Sequence, residues 1–248
     1  MCYHYSLTTH ALRSTNRYSA MQDDYSVIEE YDDMYHVNGF TFPKVPVIAS
    51  DSPTKIQLFQ WGLVPSWVKD EESAKKIRMN TLNARSETIY EKPSYRSAAK
   101  AGRRCIIPVD GIYEWQAVNK KKYPHYITFK NKEIFSIAGI WEEWVNRDSG
   151  EILKSFSMVT TDANPLMARI HNDGQRMPLI LPKELEMDWL NENLTKDDVM
   201  AMAVPFPDTE MQGHTIDKVF SQRGAFTNYA EIQNQVVYPE LQVQTTLF

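Results

Sequence analysis

The sequence predicts an α+β domain: a curved, barrel-like antiparallel β-sheet with helices at its periphery. Three observations lead there. Short runs rich in Ile, Val, Phe, Tyr and Trp recur along the chain, separated by Gly, Pro, Asn or Asp. Helical patterns are few and lie mainly towards the two ends. No internal repeat, low-complexity linker or composition break divides the 248 residues, a length at which one β-rich domain is common.

Taken in order, Ser6–Asn16 reads as a helix and residues 18–43 as an acidic peripheral stretch. Strands follow at Val45–Ala49 and Ile56–Trp61, then a Pro-stiffened loop, Trp61-Gly62-Leu63-Val64-Pro65-Ser66-Trp67. Further strands are expected at Cys105–Pro108, Gly111–Trp115 and Tyr126–Phe129. Lys130-Asn131-Lys132-Glu133 reads as a hairpin turn into Ile134–Trp141. After a strand at Phe156–Thr161, Asn164-Pro165 supplies a cap and a first-turn proline for a short helix, Leu166–His171, stopped by Asn172-Asp173-Gly174. Leu179–Leu181 is the last strand, and Pro182–Asn191 and Lys196–Met202 form a helical pair. The domain is expected to span 1–228 and a tail 229–248.

Composition excludes several classes. Hydrophobic residues make up 42% and charged residues 24%, ordinary for a globular protein. No apolar run approaches the roughly 20 residues that span a bilayer. The start, MCYHYSLTTH, lacks the basic-then-apolar layout of a signal peptide, so a cytoplasmic location is expected. Cys2 and Cys105 are too few for a disulfide framework or a zinc cluster, and free thiols, no metal and no cofactor are expected.

The net charge of −5 speaks against a polyanionic partner until its distribution is considered. Between Tyr18 and Pro43 there is no Lys or Arg but six acids: Asp23, Asp24, Glu29, Glu30, Asp32 and Asp33. From Lys75 to Arg104 there are nine bases, among them Arg78, Arg85 and Arg104, against two acids, a local balance of +7. That asymmetry points to a polyanion-binding face, with an incidental solvated cluster as the bland alternative.

Cys2 is the first candidate for chemistry. Aminopeptidases generally remove Met1 ahead of a small second residue, leaving an α-amine and a thiol two carbons apart. Reference pKa values of about 7.7–8.0 and about 8.5 keep part of each nucleophilic at neutral pH. With an aldehyde the amine forms an imine, and the thiol closes a thiazolidine ring. In Gly111–Trp115, strand alternation puts Glu114 on the face of Ile112, where desolvation favours its protonated form. An edge-strand Glu in solvent is the competing reading. His171 ends the short helix, where the negative end of the dipole favours imidazolium; most lone histidines are structural. Asn83 and Arg85 share one side of an extended segment and suit a sugar-phosphate. Trp67 suits base stacking, while Trp61 reads as core.

Cys2 behind Met1, WGLVPSW, NARSET, the DGIYEW strand and the IH…RMPLIL segment resemble, in this order, the SOS-response-associated peptidase (SRAP) family. The similarity runs from Met1 to about Pro182 and more weakly to about Arg223. The resemblance implies a basic groove on a curved antiparallel sheet and a protein that crosslinks its N-terminal Cys to abasic sites in single-stranded DNA. It implies Cys2 as nucleophile, Asn83 and Arg85 holding the sugar and its phosphate, and Glu114 and His171 as acid–base groups. Three departures stand out. Tyr3-His4 replaces the Gly-Arg of most relatives, His36-Val37-Asn38-Gly39 replaces Asn-Val-Ala-Pro, and Asn172-Asp173-Gly174-Gln175 lengthens the step to Arg176.

Covalent capture of an abasic aldehyde is the leading functional class. A cysteine peptidase with Cys2 as acyl-transfer nucleophile and His171 as base is the second. A non-covalent single-strand binder using Trp67, Arg78, Arg85 and Arg104 is the third. A monomer is expected, nucleoid-associated when on DNA. The ending Gln244-Thr245-Thr246-Leu247-Phe248 resembles the short peptide by which bacterial repair proteins dock on the sliding clamp, with Gln233–Gln244 as tether.

Overall fold

The computed structural model describes residues 2–14, 17–18 and 31–242. Its strands are β1 (His4–Leu7), β2 (Met34–Asn38), β3 (Lys44–Ala49), β4 (Ser52–Trp61), β5 (Asn83–Arg85), β6 (Arg104–Val109) and β7 (Gly111–Val118). They continue with β8 (Lys121–Phe129), β9 (Phe135–Val145), β10 (Ile152–Asp162), β11 (Arg176–Pro178), β12 (Ile180–Leu181) and β13 (Met211–Thr215). The helices are α1 (Thr9–Ser14), α2 (Glu71–Arg78), α3 (Arg96–Lys100), α4 (Pro165–Ile170), α5 (Glu186–Trp189), α6 (Lys196–Met202) and α7 (Pro239–Gln242).

Five strands close on themselves in the order β4-β3-β6-β9-β10, with β10 returning to β4. This is the barrel that the alternation of strand runs predicts. It is not wholly antiparallel: β10 runs parallel to β4 (Phe156 opposite Trp61) and to β5 (Met158 opposite Asn83). The connection after Trp61 travels over α2 before β5 lies down beside β10 in the same sense, which is why a long excursion separates these partners. Strand β6 is buried at every position, as expected of a strand covered on both faces. Val47, Phe59, Trp61, Ile107, Ile137 and Phe156 belong to one core, each such side chain contributing roughly 1.5–3 kcal/mol on burial.

The second sheet has the order β13-β8-β7-β1-β2. Tyr5 pairs with Val37 on one side and Ile112 on the other, so β1 lies inside this sheet. Strand β7 divides two apolar groups: Ile112 joins the main core, while Tyr113 and Trp115 join a smaller one with Phe220 and Ile232.

Several local readings are corrected. The helix expected over Ser6–Asn16 begins only at Thr9, because residues 4–7 are recruited as a strand. Thr8 then caps the helix, its Oγ1 accepting from the Ala11 N–H at 3.2 Å. Lys130–Glu133 is not a hairpin turn. Strand β8 lies in one sheet and β9 in the other, so this turn carries the chain across the seam. Pro182–Asn191 holds only a 3₁₀ turn at Lys183–Leu185 and the single turn α5, whereas Lys196–Met202 is helical with a Thr195–Asp198 capping box. The tether expected from Gln233 is packed down as far as it is described. Ile232 is buried, Val236 N–H donates to the Thr215 carbonyl at 2.8 Å, and Tyr238 Oη–H donates to the Ile216 carbonyl at 2.9 Å. Asp23, Asp24, Glu29 and Glu30, the end of the expected first helix (15–16), and the docking peptide with Gln244, Leu247 and Phe248 lie outside the described residues.

Candidate functional site

The entry of the chain into β1 and the middle of β7 meet at a cavity of about 460 Å³. Tyr3, His4, Glu114, Trp115, His171 and Phe220 line it, with Lys122 and Asp173 paired on its rim at 3.4 Å. Cys2 is fully buried beside it. Its backbone carbonyl accepts from Asn83 Nδ2 at 2.8 Å, which ties the start of the chain to β5. Its thiol donates to the His4 carbonyl at 3.3 Å. Burial, and after it the nearby Glu114 carboxylate, pushes the Cys2 thiol pKa far above its ordinary value.

Glu114 shares the buried face of Ile112, as strand alternation requires. Burial raises its carboxyl pKa to about 8, so it is protonated at neutral pH. His171 Nε2 stands 3.8 Å from Glu114 Oε2, too far for a direct hydrogen bond. Its Nδ1 lies 2.9 Å from the Arg176 carbonyl and can only donate there, so the neutral ring turns an unprotonated Nε2 towards Glu114. The expected dipole-stabilised imidazolium is overturned: His171 caps a helix of six residues, and burial, which lowers its pKa, outweighs that short dipole.

The longer step after His171 has a defined shape. Asn172 makes two hydrogen bonds of 2.9 Å with the Ala117 N–H and carbonyl, fastening the loop to β7. Gly174 passes so close that an added Cβ would stand 2.5 Å from both Cε1 and Nε2 of the His171 ring. Two polar atoms at the site, Asn83 Oδ1 and Glu114 Oε1, are buried without a hydrogen-bond partner among the described residues. Each such atom costs about 1–3 kcal/mol, a cost that a bound polar group recovers.

The basic segment divides. Arg104 is corrected: it is 1% exposed and spends its guanidinium on the Trp189 and Asn191 carbonyls, so it cannot reach a phosphate. Arg103 pairs with the buried Glu142, and Lys75 and Lys76 pair along α2 with Glu71 and Glu72, two acids just outside the window in which the bases were counted. Arg78 is half-buried over the Phe42 ring at 5.9 Å. Arg85, Lys92, Arg96 and Lys100 remain exposed with no ion pair among the described residues. Trp67 is 53% exposed, its Nε1–H donating to the Pro93 carbonyl at 3.2 Å; Trp61 is core. Neither Trp67 nor Arg85 lines the cavity.

Sequence reasoning missed His4 and the His36 ring packed against it, and missed Trp115 and Phe220 in the cavity wall. The first two had a usable signal, since both stand where the sequence departs from the SRAP pattern. Phe220 had none, because the 3₁₀ turn Lys218–Ser221 is brought to the cavity by tertiary packing alone.

Comparison with known proteins agrees with the geometry. Residues 1–222 match the family model described as SOS response associated peptidase (SRAP). The Bacillus subtilis abasic site processing protein YoqW is 37% identical over 175 residues, 70% of this chain and 74% of that protein. The abasic site processing protein HMCES of Xenopus tropicalis is 33% identical over 169 residues, 60% of this chain and 49% of that one. A crystal structure of a Bacteroides thetaiotaomicron protein superposes with a TM-score of 0.86 and 39% identity, covering 95% of this chain and all of that one. One from Bordetella bronchiseptica gives 0.73 and 26%, covering 87% of this chain.

Proposed function

The chain belongs to the SOS response associated peptidase (SRAP) family, and from that premise we propose that it captures abasic sites in single-stranded DNA through Cys2. Once Met1 is removed, the Cys2 amine attacks the ring-opened sugar aldehyde. The carbinolamine loses water to an imine, and the thiol adds to the imine carbon to close a thiazolidine. An imine alone invites β-elimination and strand breakage; ring closure removes that route.

One observation carries the reading: a carboxyl with pKa about 8 shares a cavity with an unprotonated histidine nitrogen, beside a buried Cys2. Glu114 can protonate the departing hydroxyl and later receive a proton, while His171 Nε2 relays protons to it. Asn83 Oδ1, buried and without a hydrogen-bond partner among the described residues, suits a sugar hydroxyl. The exposed bases Arg85, Lys92, Arg96 and Lys100, with Trp67, suit the backbone and bases on either side. A peptidase reading fares worse. A cysteine protease pairs its thiol with a histidine ring, whereas the Cys2 thiol donates to a backbone carbonyl, that of His4.

The test is a denaturing gel of the full chain with single-stranded DNA carrying one abasic site, followed by mass spectrometry of the N-terminal peptide. An SDS-stable adduct on Cys2, absent with intact DNA and absent when Met1 is retained, is the expected result. Full crosslinking by Met1-retaining protein would overturn it.

A further inference from the structure

A chain of three side chains leads from the cavity wall through His4. His4, on the cavity wall, places Nδ1 2.8 Å from His36 Nε2. His36 Nδ1 lies 2.6 Å from Thr227 Oγ1. The His36 N–H donates to Asn228 Oδ1 at 3.2 Å, which fixes β2 against this loop. Both rings are clamped by aromatic neighbours: His4 by Trp115 (5.0 Å between centroids) and Phe220, His36 by Phe220 (4.3 Å) and Tyr113. Thr227 is half-buried, follows Phe226, which is 74% exposed, and is not among the residues lining the cavity, so the chain ends near solvent. His4 Nε2 has no hydrogen-bond partner among the described residues, and the cavity is the space that His4 lines.

We infer that His4, His36 and Thr227 form a proton path that carries away the proton released when Cys2 closes on an abasic site. The inference rests on the capture reaction proposed above. An α-amine with a reference pKa of about 7.7–8.0 begins mostly as ammonium at neutral pH. Ammonium, thiol and aldehyde then give a neutral thiazolidine, one water and one proton. DNA seated over the cavity shields it from bulk water, so that proton needs an exit. With His4 protonated on Nδ1 and His36 on Nδ1, the path balances. His4 Nε2 accepts the proton, the Nδ1 proton of His4 passes to His36 Nε2, the Nδ1 proton of His36 passes to Thr227 Oγ1, and the Thr227 hydroxyl proton leaves to water. Each ring ends neutral in its other tautomer, and the reverse passage resets it. Burial, with His36 adding to it, lowers the His4 pKa to about 3, and burial lowers that of His36 to about 4. Such rings hand a proton on rather than hold it.

The experiment measures crosslinking rate against pH for the full chain and for His36→Phe, His4→Phe and Thr227→Val, using DNA with one abasic site. Glu114, Lys122, His171, Asp173 and Tyr3 also face His4 across the cavity. They are unchanged in every variant, so the ratio to wild type isolates the path. Near pH 6.5 the histidine variants should be slower by up to about 10²-fold, the lower end of what a positioned proton-transfer group contributes. By about pH 9 the amine is neutral before it reacts and no proton is left over, so the rates should converge. A deficit equal at all pH values would mean the rings are only structural, and an unchanged profile would remove the path altogether. If His36→Phe fails to fold, judged by binding to intact single-stranded DNA, the smaller Thr227→Val change decides alone. Absence of any adduct with wild-type protein would sink the capture reaction itself, a separate outcome.

Discussion

The two cysteines make a natural comparison, because both are fully buried free thiols and burial raises the pKa of both. Cys105 sits in β6 inside the barrel, opposite Ala49 and Gly139, in space so tight that a Cβ on Gly139 would lie 2.7 Å from its Sγ. Its carbonyl accepts from Trp189 Nε1 at 3.1 Å, and Ser50 Oγ nearby accepts from Trp141 Nε1 at 3.3 Å. Around Cys2, by contrast, Asn83 Oδ1 and Glu114 Oε1 are buried without hydrogen-bond partners among the described residues, and the cavity opens alongside. Burial therefore says nothing about reactivity here. What differs between the surroundings of the two thiols is the unmet hydrogen-bonding capacity beside Cys2. Substituting each cysteine by Ala tests this most directly and carries the largest expected effect. Cys2→Ala should lose the SDS-stable DNA adduct entirely. Cys105→Ala should lower stability by about 1 kcal/mol in urea titration while crosslinking at the wild-type rate.

Glu114→Gln sharpens the comparison by keeping the shape around Cys2 and removing the proton. Adduct formation should slow by about 10²–10⁴-fold with binding to intact single-stranded DNA retained, read from rapid-quench and anisotropy measurements. The same variant has a stability signature. The Glu114 pKa is raised in the fold from 4.5 to about 8. Between those values the folded state therefore holds a proton that the unfolded state has lost, and stability falls as pH rises through the window. Gln carries no such penalty. The Tm of Glu114→Gln relative to wild type should rise from pH 4 to pH 8; a flat difference would mean that Glu114 is ionised at neutral pH.

Gly174→Ala perturbs the same site through geometry. The new Cβ would collide with the His171 ring, which must move or lose its Arg176 contact. Displacement of a positioned group by about 1 Å can cost about 10²-fold, so crosslinking should slow by up to that amount, less than for Glu114→Gln. His171→Ala in the same background should add little, because the ring is already displaced.

How far the sequence reveals this molecule depends on the range of the interactions involved. Strand alternation is local, and it places Glu114 on the Ile112 face and Trp61 in the core. The Asn164-Pro165 cap is equally local: Asn164 Oδ1 accepts from Met167 N–H, and the helix runs Pro165–Ile170, one residue short of the expected end at His171. The recruitment of His4–Leu7 into β1 is not local, since its partners lie about 30 and 100 residues away, and the local pattern from Ser6 onward predicts helix instead. The same holds for the turn at Lys130–Glu133, whose strands part into different sheets. Charge counting failed at Arg104 because composition does not distinguish a base facing water from one neutralised by buried carbonyls. Of the named residues, Cys2 meets Asn83, and Glu114 and His171 share the cavity wall, whereas Phe220 reaches that wall only through the fold.

The smallest expected effect lies outside the cavity and asks whether the exposed bases act on DNA at all. Arg85 ends β5, two residues beyond Asn83, which holds the Cys2 carbonyl; it is exposed and has no ion pair among the described residues. A phosphate contact there would release counterions, and for single strands each contact contributes about 0.7 to the slope of log affinity against log salt. Arg85→Ala should flatten that slope by about this amount and weaken binding at low salt, while leaving the rate of ring closure in the bound complex unchanged. Lys76→Ala is the control, because Lys76 lies 2.6 Å from Glu72 and an exposed i,i+4 pair contributes little to the outward field. Fluorescence anisotropy over a salt series reads both variants. Equal slopes for Arg85→Ala and wild type would remove Arg85 from the DNA path, and an equal loss in Lys76→Ala would show that only overall charge matters. A flattening confined to Arg85→Ala would extend the contrast between the two cysteines to the surface, with Cys2 alone lying at the end of a track that DNA follows.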